Sequence, residues 1–284
     1  MSLLRHIRRC NEYHPERFLP LVHGDARIGW VRRDNAEALR RFPKVFAMTG
    51  DAVRLVVAGD FTDVSAAVDG VVERLVTDGL VPKWRNEFFA VAPRWGAPPL
   101  FKLDRGAVAF FGVRAYGVHL NGYLRDGDGR LRLWIGRRAA DKKVAPDKLD
   151  NLVAGGIGYE HGLFETLAKE AREEADMPAE LIARAVPVGA VSYRMELPGG
   201  ARDDVLFIYD LDVPRGFVPR NTDGEIAAFH LMAADEVVAG VRDSEDFKFN
   251  VNLVIIDFAL RHGLVPPDDP DYLALVTGLR RPLD

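Results

Sequence analysis

The chain has 284 residues, 48% of them hydrophobic and 28% charged, and a formal charge of −4. That balance excludes a disordered, collagenous or disulfide-built protein, and its acidic sign speaks against a nucleic-acid partner. The one cysteine, Cys10, forms no internal disulfide, and no stretch approaches the ~20 apolar residues that cross a bilayer, so no membrane partner is expected.

Leu3 to Asn11 reads as a first helix. Arg5, Arg8, Arg9 and Glu16 interrupt the apolar run a secretory leader needs, so a cytoplasmic location is the expectation. Ile28 to Val31 reads as a short strand, Asp34 to Arg41 as a helix capped by Asp34, and Val53 to Val57 as a strand. Phe61 to Gly79 is the clearest helix of this half. Val64, Val68, Val71, Val72 and Leu75 recur at helical spacing, and Thr62 or Asp63 can cap it. That stripe reads as core, as does the aromatic set Trp84, Phe88, Phe89 and Trp95.

Pro93 to Pro99 interrupts the pattern, and a strand-rich texture follows. Residues 1–104 are therefore read as a small α+β accessory domain and residues 105–284 as a second domain. Ala107 to Val113, Tyr116 to Leu124 and Leu131 to Arg137 read as strands. The last two flank Arg-Asp-Gly-Asp-Gly, a hairpin signal because Gly and Asp tolerate positive φ. A loop over Ala139 to Asn151 leads to Gly155-Gly156 and a helix from about Leu163 to Asp176. Val186 to Glu196 and Asp204 to Leu211 read as strands joined through Pro198-Gly199-Gly200, with a further strand over Glu225 to Met232. Helices over Ser244 to His262 and Asp271 to Leu279 close the chain. This irregular alternation predicts a mixed sheet between helices.

Chemistry concentrates in the helix after Gly155-Gly156. Glu170, Glu173 and Glu174 stand at i, i+3 and i+4 and share one face, bordering the apolar face of Phe164, Leu167, Ala168, Ala171 and Ala175. Three like charges so placed repel, and a hard divalent cation reverses that cost. The bland reading of a bare E-x-x-E-E cluster is a solvated acidic face paired with Lys169 and Arg172.

The wider context resembles the Nudix box of Nudix hydrolases, which reads Gly, five residues, Glu, seven residues, Arg-Glu-hydrophobic-x-Glu-Glu-x-Gly-hydrophobic. Gly155 fills the first position, Glu170 the Glu after Arg, Ala171 the hydrophobic position, Glu173-Glu174 the pair and Met177 the last. His161, Lys169 and Asp176 depart from the family's Glu, Arg and Gly, which chiefly shape the loop-helix-loop, and Lys cannot reproduce an Arg fork. Lys148 to Gly156, Glu165 to Glu170 and Glu173-Glu174-Ala175 resemble the subgroup related to the Nudix half of fungal thiamine pyrophosphokinase. The likeness continues through Tyr209-Asp210-Leu211, Asp223-Gly224-Glu225 and Phe42-Pro43-Lys44-Val45-Phe46.

The resemblance implies an α/β/α sandwich with a mixed sheet, preceded by the accessory domain. It implies a Mg²⁺ site, with Mn²⁺ as the alternative ion, held by Glu170, Glu173, Glu174 and Gly155. It implies hydrolysis of a diphosphate linkage in a small molecule, with thiamine diphosphate or its oxo and oxy forms as the substrate class. Glu173 or Glu225 is the candidate general base, and Arg137, Lys148 and His161 are candidate substrate contacts, against ordinary roles in loop and turn. Two alternatives stand beside this: a Nudix pyrophosphatase for ADP-ribose or dinucleotides, and a non-catalytic Nudix-like binding module. The sequence does not specify oligomeric state.

Overall fold

The computed structural model describes residues 1–283. Helix α1 (Leu4–Cys10) is followed by β1 (Phe18–His23), β2 (Ala26–Arg32), α2 (Arg33–Leu39), β3 (Phe46–Thr49) and β4 (Ala52–Leu55). The four strands form a mixed sheet in the order β2-β1-β4-β3, with β1 and β4 parallel. Asp34 does not cap α2: it lies in the first turn, and its carboxylate accepts from Arg32 at 3.2 Å.

Helix α3 (Phe61–Thr77) buries Val64, Val68, Val71, Val72 and Leu75 as its spacing predicts. Its cap is Asp60, two residues upstream of Thr62 and three upstream of Asp63. Asp60 accepts from the Thr62 and Asp63 amides, and Asp63 answers at the Asp60 amide.

Strands β5 (Phe88–Val91) and β6 (Phe101–Asp104) pair antiparallel across the proline-rich stretch. The expected strand over Ala107 to Val113 is instead a helical turn and a short helix, α4 (Val108–Phe111). Buried Asp104 starts it by accepting from the Gly106 amide at 2.8 Å. Gly112 ends it at φ 56°, where a β-carbon would fall 2.1 Å from the Trp30 carbonyl oxygen. A short apolar run buried on all sides fits a strand or a helix equally, and these two contacts decide it.

The second sheet holds β7 (Arg114–Arg125), β8 (Leu131–Arg138), β9 (Leu149–Asp150), β10 (Val153–Gly156), β11 (Val186–Leu197), β12 (Gly200–Asp212) and β13 (Ile226–Ala233). Its main path runs β11-β12-β7-β8-β13, with β10 on β7 and β9 on β8. Only β7 and β12 run parallel within it, among the described residues. Helices α5 (Leu163–Ala175) and α6 (Ala179–Ile182) cover one face. Helices α7 (Ala234–Asp243), α8 (Val251–Arg261) and α9 (Tyr272–Gly278) cover the other. The result is a helix–sheet–helix sandwich behind an α+β accessory part.

The expected helix over Ser244 to His262 forms only from Val251, as α8, and α7 before it ends at Asp243. Ser244 turns its amide and hydroxyl to the Gly240 carbonyl, both at 2.9 Å, which ends α7. Residues 246–248 then bond to Leu149 in strand fashion, its amide to the Asp246 carbonyl at 2.8 Å. Helix α1 joins the distal core: Leu3, Ile7 and Cys10 pack with Leu253, Leu275 and Leu279.

Candidate active site

The doublet Gly155-Gly156 ends β10, which lies on β7 with Gly155 opposite Val118 and Gly156 opposite Gly117. Successive strand residues face opposite sides, and here each side is already filled. A β-carbon at Gly155 would sit 2.3 Å from Glu170 Cγ, and one at Gly156 would sit 2.7 Å from Phe89 Cζ. The bare backbone lets α5 press against one side and the accessory part against the other.

Helix α5 starts at Gly162, whose amide donates to Glu165 Oε2 at 2.9 Å. Leu167, Ala171 and Ala175 are buried along it, and Glu174 lies on the same buried side at 3% exposure. Its carboxylate accepts from the Ala154 amide at 2.9 Å, tying helix to strand. Burial drives the Glu174 carboxyl well above the ordinary range, and Asp150 and Glu170 push the same way against the Ala154 bond. Burial also raises Glu170, with Glu173 and Glu225 adding to it and Lys169 opposing.

Glu173 is the exposed member, at 44%, and its carboxylate meets Lys169 at 2.7 Å, while the same ammonium lies 3.3 Å from Glu170. In this arrangement no three acidic, histidine or cysteine side chains converge on one point among the described residues. The donor chemistry still suits a hard cation: three carboxylates, two of them partly desolvated, beside a strand whose glycine leaves room for them.

Glu225 arrives from the other end of the fold. The loop before it is pinned to α5, because Thr222 donates to the Glu173 carbonyl from its amide at 3.1 Å and its hydroxyl at 2.7 Å. The Glu225 carbonyl accepts from the Ala139 amide at 2.9 Å, and its carboxylate pairs with Lys142 at 2.5 Å. The candidate base therefore lies near enough to raise the Glu170 carboxyl.

Of the three candidate substrate contacts, Arg137 pairs with Asp147 at 2.8 Å, and Lys148 donates to the Glu245 carbonyl at 2.7 Å. His161 stands apart from both. It lies on the 157–161 loop and lines a cleft of about 120 Å³ with residues 89–99 of the accessory part. Glu170, Glu173, Glu174 and Glu225 do not line that cleft.

Two features of this region escape sequence reasoning. Trp95, expected in the core, is 45% exposed and forms a wall of the cleft. A tryptophan inside a Pro/Gly-rich stretch was the available signal. Beneath the site runs a buried relay. His119 Nδ1 donates to Asn151 at 2.8 Å, Asn151 to Asn121 at 2.8 Å, and Asn121 to Asp210 at 3.0 Å. His119 and Asn121 share one strand, but Asn151 and Asp210 lie 30 and 89 positions from Asn121, so no spacing betrays it.

Residues 2–115 match a family described as a domain of unknown function (DUF4743), and residues 115–252 match the NUDIX domain. The chain is 39% identical over 285 residues to Nudix hydrolase 24, chloroplastic, of Arabidopsis thaliana, covering 98% of this chain and 78% of that one. It is 37% identical over 286 residues to Nudix hydrolase 20, chloroplastic, of the same plant, covering 96% and 76%. The solved structure of DR0079 from Deinococcus radiodurans is similar over 60% of this chain and 95% of its own, at 19% identity and a TM-score of 0.42.

Proposed function

The chain belongs to the Nudix hydrolase family, and on that premise we propose that it hydrolyses the phosphoanhydride bond of a small organic diphosphate with Mg²⁺, or with Mn²⁺ in its place. The observation that carries this reading is the packing of Glu170 on Gly155 beside the Glu174–Ala154 bond. It sets acidic side chains of one helix against a bare strand end.

In this reading Glu170, Glu173, Glu174 and Gly155 are the residues that would hold the ion. A bound divalent ion there would neutralise diphosphate oxygens and ease deprotonation of water. Lys169, 2.7 Å from Glu173 and 3.3 Å from Glu170, would have to release Glu173 for that role. Glu173, or Glu225 from its loop pinned to α5, takes the proton of the attacking water. Burial of Glu174 holds its carboxylate in one place, so that little ordering remains to be done at the site. Arg137, Lys148 and His161 remain the proposed substrate contacts, with the two cations available once their loop partners yield.

The substrate class proposed is thiamine diphosphate or its oxo and oxy analogues, on the subgroup resemblance of residues 148–175. Residues 1–104 are read as the accessory domain and residues 105–284 as the hydrolase domain. The cytoplasm is the proposed location, since the single free cysteine, Cys10, suits a reducing compartment. The test is product release from a panel holding thiamine diphosphate, oxothiamine diphosphate and ADP-ribose, with and without Mg²⁺. Release that needs the divalent ion supports the reading. No release from any member would leave a binding module.

A further inference from the structure

The cleft between residues 89–99 and the 157–161 loop holds His161 but none of the four glutamates given a role above. We propose that it is a subsite for a flat heteroaromatic ring carried by the substrate, with Trp95 of the accessory part as the residue that selects for it. This rests on the hydrolase reading for the identity of the attached diphosphate.

Four observations carry the proposal. Trp95 packs one side on Tyr116 and Phe207, with ring centroids 4.6 and 4.7 Å away, yet is 45% exposed. A large aromatic side chain held in place from behind and left open in front offers a preformed stacking face. The open space is about 120 Å³, close to the ~150 Å³ apolar cavity that accommodates a benzene molecule. Phe89, Tyr116 and Tyr159 supply further ring surface, while Arg94 and His161 supply polar groups that can meet ring nitrogens.

The fourth observation is position. Ile157 continues the β10 ladder by donating to the Tyr116 carbonyl at 2.9 Å, and it lines the cleft. Gly155, two residues earlier and on the same face, packs against Glu170. Two strand residues rise roughly 7 Å, so one elongated molecule can place its ring at Trp95 and its diphosphate at the glutamates. The two ends of the substrate are then held by different parts of the chain, and the accessory part acts in specificity.

The test measures ring binding without chemistry. Thiamine monophosphate and AMP, which carry no diphosphate, are titrated calorimetrically into the full-length wild type, Trp95→Ala, Trp95→Phe and Ala97→Trp, with ribose 5-phosphate as the ring-free probe. Trp95→Ala should weaken at least one ring-bearing probe about tenfold, in line with stacking of a base on an aromatic side chain. Trp95→Phe should restore most of it, Ala97→Trp should block it by filling the cleft, and ribose 5-phosphate should be indifferent. Ring binding insensitive to both the Ala and the Trp substitution overturns the proposal, as does wild type that binds neither ring-bearing probe, or an equal loss for ribose 5-phosphate. A protein that cleaves diphosphates but ignores Trp95 loses this subsite and keeps the hydrolase reading. Trp95-dependent ring binding in a protein that cleaves none keeps the subsite and loses the hydrolase reading.

Discussion

Glu170 lies so close to the backbone of Gly155 that a β-carbon there would fall 2.3 Å from its Cγ and 2.6 Å from its Cδ. Gly155→Ala must therefore displace Glu170 or the strand. Overpacking of this kind costs ~1–3 kcal/mol, so the melting temperature should fall by a few degrees. Turnover should fall by about tenfold or more, because a small misplacement of a positioned group is expensive in rate. Steady-state kinetics and a thermal melt check both. Full turnover would show that Glu170 has no fixed place in the chemistry.

Glu174→Gln keeps the side chain's shape and an oxygen able to accept from the Ala154 amide, now at 2.9 Å. The fold should persist, with an unchanged circular dichroism spectrum. Activity should drop by at least ~100-fold, since groups that merely orient metal ligands carry about 10–100-fold. Near wild-type turnover at saturating Mg²⁺ would sink the role given to this carboxylate.

Mg²⁺ should raise the melting temperature of the wild type, through a free energy of RT ln(1 + [Mg²⁺]/Kd). The Glu170→Ala/Glu174→Ala double variant should lose that rise. Na⁺ at matched ionic strength separates screening from site binding, since screening acts through both salts. If the acidic face is merely solvated, the two proteins shift equally.

His119 is fully enclosed, and burial pushes its imidazole down from 6.5 to about 4, with Lys248 adding to the effect and Asp150 opposing it. The sign follows from proton uptake. Between those two values the unfolded chain binds a proton that the folded protein refuses, so stability falls as pH drops from 6.5 to about 4. The full effect is about 3 kcal/mol. Urea denaturation of wild type and His119→Gln over that range should show a shallower fall for the variant. Asp210, held below the usual carboxylate range by hydrogen bonds from His262, Arg261 and Asn121 against its burial, steepens the fall in both proteins. Equal pH dependence would place the penalty elsewhere.

Helix α5 and its glutamates were legible because their determinants are local. The i, i+3, i+4 spacing puts Glu170, Glu173 and Glu174 on one turn whatever surrounds them, and the apolar stripe of α3 is of the same kind. The elements that were missed or misread depend on partners distant in sequence. Strands β1 and β3 exist through pairing within the first sheet, and α4 replaces an apparent strand because Gly112 abuts Trp30.

The sequence by itself determined the chemistry available: which side chains carry charge, which helix displays them, and which two glycines precede it. Only the tertiary structure decided what those groups meet. It buried Glu174 against Ala154, brought Glu225 round to α5 through Thr222, and set Trp95 and His161 in one cleft. Helical spacing is enforced within a few residues by the backbone's own hydrogen bonds. Contacts between residues 20 or more positions apart, such as Ala154 with Glu174, arise only when whole elements pack, and no local pattern encodes them.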